Sequence, residues 1–228
     1  MAKTGALFLR VNMFAYDDWV RHVFDHRVTD PAWYWDVEAD TREPEPPESV
    51  ACLTRLFEEP EFLAQYSDGQ VNQGFWYLVH NCCSNYTSSL IEPGVAWPER
   101  QRGIRAIAAL FTRLFARRCS DHLSHVDEKG ASPLNSACYM WWDLFPTWGQ
   151  PEDPAAAELD AELLAVMSQI LSIDSLPCQE SALHGLGHWH MHYPARVQEI
   201  ITGFLESGKE FRPELRHYAM CAAQGRVQ

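Results

Sequence analysis

Residues 181–194 read SALHGLGHWHMHYP, and 45 positions upstream residues 136–148 read SACYMWWDLFPTW. The second stretch decides how the first is read. On a helical wheel of about 100° per residue, Ala182, Leu186, Trp189 and Tyr193 fall on one side. His184, His188 and His192 form a second stripe on the other side, spaced i, i+4, i+8. Carried back by 45 positions, and then by a further 62, His184 becomes Tyr139 and Tyr77. His188 becomes Asp143 and Asn81, and His192 becomes Thr147 and Asn85. These positions are polar in all three places. The opposite stripe, Ala182, Ala137 and Phe75, then Leu186, Trp141 and Val79, is apolar or small throughout. One helix type therefore recurs, with the same two faces.

Each of these helices is followed by a longer amphipathic one. GIRAIAALFTRLFARR, AELDAELLAVMSQIL and ARVQEIITGFLES carry apolar residues at 3.6-residue spacing, and period-2 alternation is scarce. A proline precedes each (Pro98, Pro154, Pro194), which suits a first helical turn because its N–H has no partner there. Asp153 is placed to cap the helix after Pro154. Ser67 with Gln70 makes a capping box before the first aromatic helix. The spacing predicts helix pairs over about residues 68–118, 133–173 and 177–207, closed by a helix over 213–223.

This pattern resembles HEAT and armadillo repeats, in which each helix pair buries its face against its neighbours. The resemblance implies an all-α, HEAT-like solenoid from residue 67 to 228, and it implies no activity. HLSHVDEKGASPLNSACYMWWD and ESALHGLGHWH also resemble stretches of a group of bacterial proteins of unknown function, which implies a bacterial source. Residues 1–66 are less regular. YDDWVRHVF and SVACLTRLF read as short helices, and REPEPPES as an acidic proline-rich linker, so this part is expected to be an irregular helical cap.

The chain has 228 residues, nine Trp and a formal net charge of −13. Its acidity argues against a phosphate-backbone partner. The one basic cluster, Arg100, Arg102, Arg105, Arg113, Arg117 and Arg118, falls between apolar positions of a helix, as a solvated face does. The start MAKTGALFLRVNMF is broken by Arg10 and Asn12 and lacks the form of a signal peptide. No stretch approaches the length of about 20 apolar residues that spans a bilayer. Seven cysteines show no C-x-x-C and sit mostly in apolar patterns, as buried thiols of a cytoplasmic protein do.

Two polar concentrations remain. The first is the recurrent face: Tyr77, Asn81, Tyr139, Trp142, Asp143, His184, His188 and His192. A structural polar face, a recognition face and a metal site all fit it. His at i and i+4 can ligate Zn²⁺ given a third ligand, and Asp143 is the best placed, although no H-E-x-x-H is present. The second is the loop 119–132, CSDHLSHVDEKGAS, with His122, His125 and Asp127, which reads either as a capped inter-repeat loop or as a functional one. The expected function is a non-catalytic, cytoplasmic interaction module that holds a basic protein partner, as an immunity or adaptor protein would. It needs no cofactor, nucleic acid or membrane. The alternative is a metal-dependent enzyme of hydrolase type, with zinc or another divalent metal at His184, His188 and Asp143.

Overall fold

The computed structural model describes residues 15–39 and 44–227. The N-terminal stretch read for a signal peptide lies outside the described residues. The chain is all helical, and the described residues contain no strand. The helices are α1 (Tyr16–Phe24), α2 (Pro46–Glu58), α3 (Asp68–Val79), α4 (Trp97–Leu110), α5 (Ala116–Arg118), α6 (Leu134–Leu144), α7 (Ala157–Leu171), α8 (Leu176–Trp189), α9 (Pro194–Leu205) and α10 (Pro213–Ala222). A wider π-helical turn, Phe111–Phe115, joins α4 to α5, so the expected long helix runs through with one irregular turn.

Local chemistry explains most helix starts. Proline occupies the first or second position of α2, α4, α8, α9 and α10. The capping box of α3 is in place. The Gln70 N–H donates to Ser67 Oγ at 3.3 Å, and the Ser67 N–H donates to Gln70 Oε1 at 3.1 Å. Two expected starts need correction. Pro154 does not open α7, which begins at Ala157, and Asp153 accepts from the Ala155 N–H at 2.9 Å inside the preceding turn. The proline-rich segment is no linker beyond Glu45, because Pro46 and Pro47 open α2.

The helices meet in a regular order. α1 packs on α3, α3 on α6, α6 on α8 and α8 on α10. Beside this row, α2 packs on α4, α4 on α7, and α7 on both α8 and α9. The N-terminal part is thus less irregular than expected, since α1 and α2 enter the two rows in turn. Trp141 is a hub of the core. It is fully buried and meets Phe57, Phe75, Phe111 and Phe115 edge-on at centroid distances of 5.7–5.9 Å. Aromatic contacts of this kind add about 0.5–1.5 kcal/mol each beyond burial. The stripe of Phe75, Val79, Ala137, Trp141, Ala182 and Leu186 is buried, as its periodicity predicts.

The arginine-rich helix is not a bare basic face. Arg102 pairs with Glu58 at 2.7 Å, Arg105 with Glu162 at 2.7 Å, Arg113 with Glu61 at 2.6 Å and Arg118 with Asp68 at 2.7 Å. These bonds tie the helix to the segments on either side. Each is at least partly solvated and so contributes modestly to stability, but together they pair four of the six arginines with carboxylates.

Candidate metal centre

α6 and α8 lie side by side, and the reason is partly a missing side chain. A Cβ on Gly185 would stand 2.6 Å from Cβ and Cγ of Trp142. Glycine lets the indole of α6 lie against the α8 backbone, at a cost in helix propensity of about 1 kcal/mol. Trp142 is therefore fully buried, and it does not belong to an exposed binding face as expected. Close approach brings the polar stripe of α8 against that of α6.

There the side chains converge. His188 Nε2 lies 3.2 Å from His184 Nε2 and 3.1 Å from Asp143 Oδ1. One potential ligand atom from each of Asp143, His184 and His188 lies within 4.8 Å of the other two. His184 and His188 share a face because they are one turn apart, and Asp143 comes from the adjacent helix. His184 is buried, whereas the side chains of His188 and Asp143 are 21% and 29% exposed, so the cluster opens to solvent on one edge. Trp148 stacks on His188 at 4.8 Å and 11°, and Tyr139 packs on His184 at 4.4 Å.

Protonation follows from this packing. Burial, helped by the neighbouring His188 and His125, pushes His184 down to about 3. Burial also lowers His188, and Asp143 opposes that shift only in part. Burial thus favours the neutral form of both imidazoles, which makes the contact between His188 and Asp143 a hydrogen bond donated by the ring. One self-consistent hydrogen arrangement satisfies the cluster. His188 Nε2–H is shared between Asp143 Oδ1 and His184 Nε2. His184 Nδ1–H then donates to Tyr218 Oη at 2.6 Å, and Tyr218 donates to Tyr139 Oη at 3.2 Å.

The remaining sequence candidates fall elsewhere. Tyr77 is fully buried, among Trp33, Tyr34 and Tyr86, and forms no part of a surface. Asn81 and His192 are exposed, but each lies past the end of its helix, so the stripe stops before them. Tyr139 is half-buried beside the cluster. In the loop, His125 is held inward. The Glu180 carboxylate, which is fully buried, accepts from the Ser124 and His125 N–H groups, each at 2.9 Å, and contacts His125 Nδ1 at 2.6 Å. His125 stacks on Tyr218 at 4.1 Å and 17°. His122 is half-buried, and its backbone carbonyl accepts from Asn135 Nδ2 at 3.3 Å. Asp127 is exposed with φ of 52°. These loop residues do not reach the cluster as ligands.

Sequence reasoning missed Tyr218 and Glu180. Tyr218 lies on α10, outside the recurrent units, and nothing in its spacing points to α8. Glu180 carried little signal, since it stands between Gln179 and Ser181 near the start of its helix. The thiol expectation needs correction too. All seven cysteines are free, but only Cys138 and Cys178 are buried, and Cys82 is exposed. Among the described residues, no helix is long and apolar enough to cross a membrane. No protein-family model matches the chain, and no curated protein or solved structure matches it either.

Proposed function

We propose that the chain is a metal-dependent protein of hydrolase type, with His184, His188 and Asp143 holding one divalent ion, zinc foremost. One observation carries this reading, the gathering of three ligand atoms within 4.8 Å of one another. For Zn–N bonds of about 2.0–2.1 Å, adjacent ligands of a tetrahedron stand about 3.3–3.4 Å apart. The two short distances in the cluster, 3.2 and 3.1 Å, are close to that edge length. Burial favours the neutral form of both rings, the form that ligates. His184 already bonds through its second nitrogen to a neighbour, the usual support for a ligating imidazole. Two histidines and one carboxylate leave a fourth position for water, the pattern of catalytic rather than structural zinc. A metal there would supply a Lewis acid and an activated water. Asp143 and His188 flank the solvent edge, and Trp148 walls one side.

Metal analysis and calorimetry test this directly. Purified protein is stripped with chelator and titrated with Zn²⁺ and Co²⁺. One ion per chain is expected, with binding abolished in His184→Ala and His188→Ala and strongly weakened in Asp143→Asn. Folded wild-type protein that binds neither ion refutes the proposal. A panel of ester, amide and phosphoester substrates then separates catalysis from simple binding.

A second reading has its own support. A cytoplasmic interaction module for a basic protein partner suits the net charge of −13 and the partly exposed Trp148 beside the cluster. Buried Tyr77, Trp142 and His184 speak against the face first expected to carry it. Binding of a basic partner that survives loss of the metal ligands would favour this reading over the enzyme.

A further inference from the structure

We infer that Tyr218 is a positioning residue of the metal site: its hydroxyl holds His184 in the tautomer that leaves Nε2 bare, and the loop 119–132 holds Tyr218. The inference rests on the metal reading above and adds a residue from another helix to it. An imidazole offers one lone pair when neutral, and the nitrogen that carries the hydrogen cannot ligate. The environment of His184 decides which nitrogen that is. Nδ1 faces Tyr218 Oη at 2.6 Å, and Nε2 faces His188 Nε2 at 3.2 Å. Placing the hydrogen on Nδ1 lets it donate to Tyr218 and turns the Nε2 lone pair toward Asp143 and His188. When an ion binds, the hydrogen of His188 moves from Nε2 to Nδ1, and His184 is already in its binding form.

Tyr218 is itself fixed. Its ring is flanked by His125, stacked at 4.1 Å and 17°, and by the near-parallel ring of His184, with centroids 6.4 Å apart. His125 is locked by the buried Glu180 through its ring and its backbone N–H. A second tie, between Arg212 at the start of α10 and Glu128 in the loop, holds the same two segments together. The contacts therefore run in series, Glu180 to His125 to Tyr218 to His184. The loop has a role at the site through this series and not by contributing a ligand. Orienting partners of this kind are worth about 10–100-fold in metal affinity.

The test uses Co²⁺ and Zn²⁺ alone as probes on the full chain. Tyr218→Phe keeps the ring between its neighbours and removes only the hydroxyl. Its affinity for both ions should fall about 10–100-fold. Its Co²⁺ absorption spectrum in the visible should shift, since the His184 ring is no longer pinned. Tyr139→Phe, one hydrogen bond further out, should lose less than about 3-fold. Thermal melts establish that both variants fold, and His125→Phe, which keeps a stacked ring, supplies a second variant if Tyr218→Phe does not. It should weaken binding by less than about 10-fold, because the hydroxyl remains while its anchoring is lost, and unchanged affinity in this variant would overturn the series. Wild-type affinity and spectrum in folded Tyr218→Phe overturn the positioning role while leaving the metal site standing. No binding by wild type overturns both.

Discussion

Gly185→Ala probes the link between helix packing and the cluster. The added Cβ would meet Trp142 Cβ and Cγ at 2.6 Å and Cδ1 at 2.9 Å. Carbon atoms in good contact stand about 3.5–4.0 Å apart, so α6 and α8 must separate locally by about 1 Å, or Trp142 must tilt. Neither is easy, because Trp142 is fully buried with Phe111 and Phe145 against its ring. Alanine gains about 1 kcal/mol of helix propensity over glycine, while overpacking a core costs about 1–3 kcal/mol, more in tight sites. The expected net effect is a loss of up to about 2 kcal/mol in denaturant melts. The larger effect falls on the site. Metal ligands tolerate about ±0.2 Å, and the seam that must open is the one between Asp143 and the two histidines. Zn²⁺ affinity should drop by more than 10-fold at a protein concentration where the variant is still folded. Gly203→Ala on α9 is the control. Nothing lies within 4 Å of its added Cβ, so it should stabilise by about 0.5–1 kcal/mol and leave metal binding alone. If Gly185→Ala matches Gly203→Ala in both stability and affinity, the close approach of α6 and α8 does not govern the site.

Other expectations are simpler. Leu186→Ala, on the buried stripe, should cost about 2–5 kcal/mol in chemical denaturation through lost burial and a cavity. Glu180→Gln turns one acceptor toward the loop into a donor, so it should cost about 1–3 kcal/mol and raise amide exchange in residues 124–126. The loop latch should depend on pH. Arg212 and the Leu123 N–H hold the Glu128 carboxyl down at about 2, below the value of an unfolded glutamate. Its contribution is thus present above that unfolded value and is lost as pH falls toward about 2. Acid titration should release the loop in wild type over that window, seen as faster amide exchange, whereas Glu128→Gln should lack this step because its latch is already weakened. Thiol titration of denatured, non-reduced protein from a reducing cytoplasm should count seven free cysteines.

The helix pattern was legible because it depends on local periodicity. The apolar stripes through Phe75, Trp141 and Leu186 are buried as their spacing predicts, and the prolines and the Ser67 capping box mark starts that chain-local chemistry enforces. Pro154 misled for a local reason: it and the two residues after it stay in a turn, with Asp153 satisfying that turn instead of α7. The stripe of polar positions was legible only in its middle. Helix ends cannot be read from a wheel, so Asn81 and His192 were assigned to faces that stop before them. Trp142 was misplaced because its inward rotation depends on Gly185, a residue of another helix. Tyr218 and the anchoring of His125 were not legible at all, since they depend on which surface α10 and the loop settle against.

Position along the row explains why the cluster forms between α6 and α8 and not one step earlier. The equivalent of His184 on α6 is Tyr139, and on α3 it is Tyr77. Tyr77 is enclosed by Trp33, Tyr34 and Tyr86, so the α3 rung is filled by aromatic rings with no room for solvent. At the seam between α3 and α6 Asn72 Oδ1 accepts from the Ala137 N–H at 3.1 Å and Trp76 Nε1 donates to Ser136 Oγ at 3.3 Å, while Asp143 faces α8 instead. Only at the next seam do two imidazoles one turn apart meet a carboxylate from the neighbouring helix. That seam is also where the row ends in α10, a helix with no counterpart in the earlier pairs, and α10 supplies the hydroxyl on His184. The residues that meet at this one seam, and not the packing order of the helices alone, give it its chemistry. Moving the histidines would test this. Tyr139→His with Met140 and Asp143 retained puts an imidazole at the equivalent position on α6, four residues before Asp143. The new imidazole would stand where Tyr139 packs on His184 and bonds Tyr218, beside the existing cluster, so this variant should gain no separate Zn²⁺ site, and calorimetry should still count one ion per chain. Two ions of similar affinity would show that the three residues Asp143, His184 and His188 do not by themselves set the capacity of this seam.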